Sequence, residues 1–147
     1  GGGNYGWFLR NVVKWPGKLV GIEVWAPYVG GPDALSGGNR TYYNEIIVAD
    51  VREWLKAPTC VPDVVFAFDV IEHLVESEGV QVMCALQKLV TRSLLVSVPI
   101  IPYPQAVLHG NPHEAHQHDW AVEGMAAIGG RLVHRGEITG LFEFAHA

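Results

Sequence analysis

Apolar positions follow two spacings along this chain. Short, nearly continuous runs, KLVGIEV at 18–24, EIIVA at 45–49, DVVFAF at 63–68 and LLVSV at 94–98, read as strands buried on both faces. Between them lie helical spacings. Trp7, Phe8, Leu9, Val12 and Val13 predict a helix from Tyr5 to about Trp15, closed by Pro16-Gly17. Val80, Val82, Met83, Leu86, Leu89 and Val90 predict another over 79–90. Shorter helical pieces are expected around Tyr28, over 51–56 and over 120–128. Two last runs, 131–135 and 138–144, flank Gly136 and read as an antiparallel strand pair. Strands thus alternate with helices until the end. That order predicts an α/β, Rossmann-like fold with a mostly parallel sheet, helices on both faces and a C-terminal antiparallel pair.

Composition narrows the picture. At 147 residues, 49% hydrophobic and 17% charged, the chain is expected to fold as a single domain spanning 1–147. A net charge of −5 argues against a nucleic-acid backbone as partner. No apolar run approaches the roughly 18 residues of a membrane helix, so no membrane span is expected. The two cysteines, Cys60 and Cys84, have no metal-like or redox-like spacing and suggest a reducing, cytoplasmic setting. Gly1-Gly2-Gly3 reads either as an engineering scar or as the tail of a glycine-rich turn. In the second case the domain is N-terminally truncated and its first strand is missing.

Three strands end on acids: Glu23 in GIEV, Asp50 in VAD and Asp69 in FDV. In a parallel sheet with right-handed crossovers, those ends are expected to line one crevice. A nucleoside ligand presents ribose hydroxyls and an adenine amino group, donors that carboxylates accept. Asp is also a favoured helix cap, so each acid alone has a purely structural reading.

Together the motifs suggest a relationship. Gly1-Gly2-Gly3 ahead of Tyr5-Gly6, then GIEVW, VADV, FDVIEHL and LLVSVP, resemble the successive motifs of class I S-adenosylmethionine-dependent methyltransferases across nearly the whole chain. FDVIEHL is the most specific piece. The resemblance implies S-adenosylmethionine as cofactor, with Glu23 on the ribose hydroxyls and Trp25 near the adenine. It implies Asp50 on the adenine amino group with Val51 beside the ring. Asp69 and Val70 would line the methionine side, and Gly1 and Gly3 would approach its amino-acid part. The family's first strand, and the acid usually preceding its glycines, have no counterpart here.

The segment from Pro99 to Asp119 is long for a connection, which marks a functional loop. It carries His109, His113, His116 and His118 beside Glu114 and Asp119. Histidines and carboxylates suit zinc or iron, but the spacing matches no helix-borne metal motif, and no metal is expected. A solvated loop is one alternative. The other is an acceptor-side role in which His73, His116 or His118 takes a proton from the attacking group. Glu72 begins the acceptor-facing segment with His73 or serves only first-turn helix electrostatics; Asp119 orients a histidine or, the favoured reading, caps a helix beginning at Trp120, and Trp120 reads as a packed aromatic.

The sequence therefore suggests methyl transfer to an oxygen, nitrogen or carbon of a small-molecule or sugar-like acceptor, with the oligomeric state open. The competing readings are a nicotinamide-dependent oxidoreductase, a catalytically inactive methyltransferase-like partner domain, and a metal-dependent enzyme built on the histidine loop.

Overall fold

The computed structural model describes residues 5–30 and 42–146. The chain divides into two compact units, Gly1–Trp54 and Leu55–Ala147.

The first unit holds α1 (Tyr5–Asn11), β1 (Val20–Glu23), α2 (Pro27–Gly30), β2 (Glu45–Val48) and α3 (Val51–Trp54). β1 and β2 pair in parallel, from Val20 opposite Glu45 to Glu23 opposite Val48. α1 is shorter than its apolar spacing predicts. Lys14 takes a left-handed backbone, φ 56°, which a helix cannot continue through. The Arg10 guanidinium fixes the resulting turn, donating to the carbonyls of Trp15, Gly17 and Tyr42 and to Asn44 Oδ1. One side chain thus ties the end of α1 to the entry of β2. Gly6 is required by packing: a Cβ there would sit 2.5 Å from the Tyr43 ring.

The second unit contains β3 (Val64–Phe68), a 3-10 turn at Ile71–His73, α4 (Glu76–Leu89) and β4 (Ser93–Pro99). A 3-10 turn at Pro112–Glu114, α5 (Val122–Ala127), β5 (Arg131–Arg135) and β6 (Thr139–Ala145) complete it. The strand order is β3-β4-β6-β5, with β3 and β4 parallel and β6 antiparallel to both its neighbours. The expected antiparallel pair is present, and its last strand inserts beside β4.

Alternation builds the core of this unit. Leu94, Val96 and Val98 on β4 are fully buried, and they stand opposite Phe144, Phe142 and Gly140 of β6. Val82, Met83 and Leu86 bring the apolar face of α4 into the interior. Each such side chain contributes about 1.5–3 kcal/mol by leaving water. α4 begins three residues before the apolar pattern does, because its first turn holds Glu76, Ser77 and Glu78, which favour the positive helix end without being buried. α5 begins later than expected, at Val122. Ala121 occupies its N-cap with no side-chain bond, so Asp119 is not the cap its position suggested. Among the described residues no helix is long and apolar enough to cross a membrane.

Candidate functional site

The three acids lie at or just beyond the carboxyl ends of β1, β2 and β3, but their surroundings differ. In the first unit Glu23 closes β1 and is buried, with Oε1 accepting the Trp25 backbone N–H at 2.9 Å. This holds Glu23 and Trp25 together at the carboxyl end of the strand. Asp50 follows β2 and opens α3. Its carboxylate takes the Arg52 backbone N–H at 2.8 Å and the Arg52 guanidinium through both oxygens. Asp50 is therefore a cap and an ion-pair partner, and an adenine amino group would share it with Arg52. Val51 is the first residue of α3. Gly1 and Gly3 lie outside the described residues.

In the second unit Asp69 ends β3 with φ 52°. A non-glycine residue in that region is uncommon, and Asp is among the residues that tolerate it. Its N–H donates to the Ser97 carbonyl at 3.3 Å, and Ser97 Oγ reaches Asp69 Oδ1 at 3.4 Å. The twist turns the chain sharply off the sheet into the 3-10 turn. Val70 sits at the N-cap of that turn, and its carbonyl accepts from His73 N.

That turn carries the most unusual chemistry in the molecule. Glu72 is only 2% exposed, and its Oε2 has no hydrogen-bond partner among the described residues. Burial pushes its carboxyl up to about 7; the backbone N–H groups of Glu72 and Val70 oppose the rise, while the charge of Asp69 adds to it. His73 stands next to it, with Nδ1 3.4 Å from the Ala115 carbonyl. Desolvation draws His73 below the usual imidazole range, which keeps the ring neutral at pH 7.

The histidine loop supplies the third member. His116 packs edge-on to His73, ring centroids 4.9 Å apart, and its Nδ1 lies 2.6 Å from the Tyr103 carbonyl. A carboxylate oxygen of Glu72 and one ring nitrogen from each of His73 and His116 all lie within 4.8 Å of one another. The loop is fastened there by its backbone: Gln117 N and His118 N both donate to the Glu72 carbonyl, and His116 N donates to Gln105 O.

Of the three histidines singled out from sequence, the structure brings His73 and His116 together. His118 goes elsewhere, its ring edge-on against buried Trp120 at 4.7 Å. Glu72, expected either to face the acceptor with His73 or to serve helix electrostatics, is buried beside the two histidines. The visible signal was its place beside His73 directly after a strand-end acid.

The order β3-β4-β6-β5, parallel and then antiparallel, can be set beside known folds. No protein-family model matches the chain, and no curated protein matches it. Solved structures do. Magnesium protoporphyrin IX methyltransferase from Synechocystis PCC 6803 is similar over 88% of this chain and 60% of its own, at 18% identity and a TM-score of 0.55. The N-methyltransferase NodS from Bradyrhizobium japonicum WM9 is similar over 88% and 73%, at 16% identity and a TM-score of 0.54. A protein from Pyrococcus horikoshii OT3 is similar over 100% and 78%, at 14% identity and a TM-score of 0.67. The chain has the class I methyltransferase fold. It spans about 60% of the length of the Synechocystis enzyme. Glu23 and Asp50 stand at the carboxyl ends of strands in the first unit, and Asp69 stands at the carboxyl end of β3 in the second.

Proposed function

We propose that the chain binds S-adenosylmethionine and moves its methyl group to an oxygen, nitrogen or carbon of a small-molecule or sugar-like acceptor. The observation that carries this reading is the placing of Glu23, Asp50 and Asp69 at carboxyl strand ends in a fold shared with a methyltransferase solved with S-adenosylmethionine bound. Free Cys60 and Cys84 accord with a reducing, cytoplasmic setting.

The donor chemistry fits the cofactor. Glu23 and Asp50 offer only acceptors, matching ribose hydroxyls and an adenine amino group, and the Trp25 backbone N–H bonds to Glu23. Asp69 and Val70 would face the methionine part. When bound, the cofactor supplies an activated methyl group on a sulfonium, whose bonding pair stays with sulfur. The protein's task is then to align the acceptor, exclude water and manage the acceptor's proton. In the second unit Glu72, His73 and His116 are the groups that manage the proton, and His118 supports the loop through Trp120.

Calorimetric titration of S-adenosylhomocysteine tests the reading. Binding to the chain is expected, weakened by about 1–3 kcal/mol in Glu23→Ala, the scale of removing one buried polar partner. A folded chain that binds NADH and not S-adenosylhomocysteine would instead favour the oxidoreductase. A folded chain that binds neither would favour the inactive partner domain.

A further inference from the structure

We propose that Glu72, His73 and His116 form a binding site for a divalent first-row transition ion, zinc being the probe of choice. The geometry begins with the buried carboxylate. A carboxyl withdrawn from water is paired, hydrogen-bonded, bound to a metal or kept protonated, and the histidines beside this one favour a metal. Glu72 Oε2 has no hydrogen-bond partner among the described residues, although two imidazoles lie beside it.

Each imidazole has one nitrogen beside a backbone carbonyl. His73 Nδ1 approaches the Ala115 carbonyl and His116 Nδ1 the Tyr103 carbonyl. An Nδ1–H that donates to such a carbonyl leaves the lone pair of Nε2 available to a metal. This outer-shell pattern accompanies most metal-bound histidines and fixes both tautomer and ring direction. Two imidazoles and one carboxylate make the His2Glu donor set that suits zinc and leaves a coordination position open.

Distance allows it. Around an ion with bonds of about 2.0–2.2 Å, ligand atoms stand about 3–3.5 Å apart. The three groups already lie within 4.8 Å of one another, so side-chain rotation of about an ångström closes the triangle. Loop spacing could not announce this site, because its ligands come from a 3-10 turn after β3 and from a distant loop.

The ion site stands on its own geometry; only its use rests on the methyltransfer reading. In that use Glu72, His73 and His116 manage the acceptor's proton through the ion they hold: the acceptor hydroxyl would bind at the open position, be acidified there, and lose its O–H proton to water. The oxygen pair forms the C–O bond as the S–CH3 pair returns to sulfur.

The test is titration of zinc, and of cobalt for its visible spectrum, into untagged full chain stripped of metal. One ion per chain is expected, with cobalt absorption characteristic of nitrogen ligation. Binding should weaken at least about tenfold in Glu72→Gln and in His116→Ala, since even outer-shell changes cost about 10–100-fold. His109→Asn, which suits the left-handed backbone at that exposed position, should bind as the parent does. Circular dichroism verifies that each variant is folded; His116 is only half-buried, so its variant serves if Glu72→Gln does not fold. Absence of binding to the folded parent overturns the proposal. So does binding that His116→Ala preserves and His109→Asn abolishes, which would mark loop chelation. Separate titration of S-adenosylhomocysteine distinguishes failure of the ion site from failure of the methyltransfer reading.

Discussion

At the scale of single residues, Glu72 holds two jobs that can be separated. Its carbonyl anchors the loop through Gln117 and His118, while its carboxylate faces the histidines. Replacing the side chain leaves the backbone anchor in place. The histidines divide in the same way. Once an acceptor is found, His73→Gln is expected to lower kcat by about 10²–10⁴, the range attached to a group handling a proton. His118→Gln should leave kcat nearly unchanged and cost about 0.5–1.5 kcal/mol of stability, the worth of a ring contact such as that with Trp120. Steady-state kinetics and urea unfolding of the two variants check both halves. Trp120 is itself a test, because its buried Nε1 has no hydrogen-bond partner among the described residues. Trp120→Phe removes that unmet donor and is expected to be far milder than Trp120→Ala, which opens a cavity costing about 3–5 kcal/mol. The strand-end acids were readable from sequence because strands stop where polarity begins. The company of Glu72 was not, since no local spacing says which loop folds back over a turn.

At the scale of elements, burial on both faces did not hold for β2 or β3, where Val48 and Phe66 are exposed, but strands were readable to within a residue or two because they are almost unbroken apolar runs. Helix ends were not. The polar first turn of α4 carries no apolar signal, and α1 stops at a left-handed Lys14 that no pattern reveals. Gly79, inside α4, shows packing overriding propensity. A Cβ there would meet Trp120 Cζ2 at 2.8 Å and Ile71 Cγ2 at 3.2 Å. Gly79→Ala should gain about 1 kcal/mol of helix preference and lose about 1–3 by overpacking; the crowding of two buried neighbours makes the net a loss, read by urea unfolding. Across the sheet, Glu143 on β6 accepts from Ser93 Oγ of β4 at 2.7 Å and pairs with Arg131 of β5. The Ser93 hydroxyl and the Arg131 guanidinium hold its carboxyl below the usual range. A group whose folded pKa is depressed binds fewer protons folded than unfolded, so its stabilisation is full above the unfolded pKa and is lost as pH falls through the folded one. Stability should therefore drop on acidification below the normal glutamate range, and Glu143→Gln should flatten that part of the curve.

At the scale of the whole molecule, the second unit's sheet has two different ends. β5 finishes it with RLVHR, a strand edged by charge, which discourages further pairing. β3 finishes it with VVFAF, and no strand lies beyond it among the described residues. Phe66 stands 40% exposed there, edge-on to Phe68. A strand with the composition of a sheet's interior thus occupies an edge. Sedimentation velocity is expected to show self-association that grows with concentration and that Phe66→Lys suppresses. The apolar composition of β3 was plain in the sequence; that it would end a sheet was not, because strand order arises from contacts distant along the chain. Among the described residues the outer rim of β3 carries no partner strand, so dilution is expected to act as a chemical variable, and turnover per molecule is best compared across a range of protein concentrations.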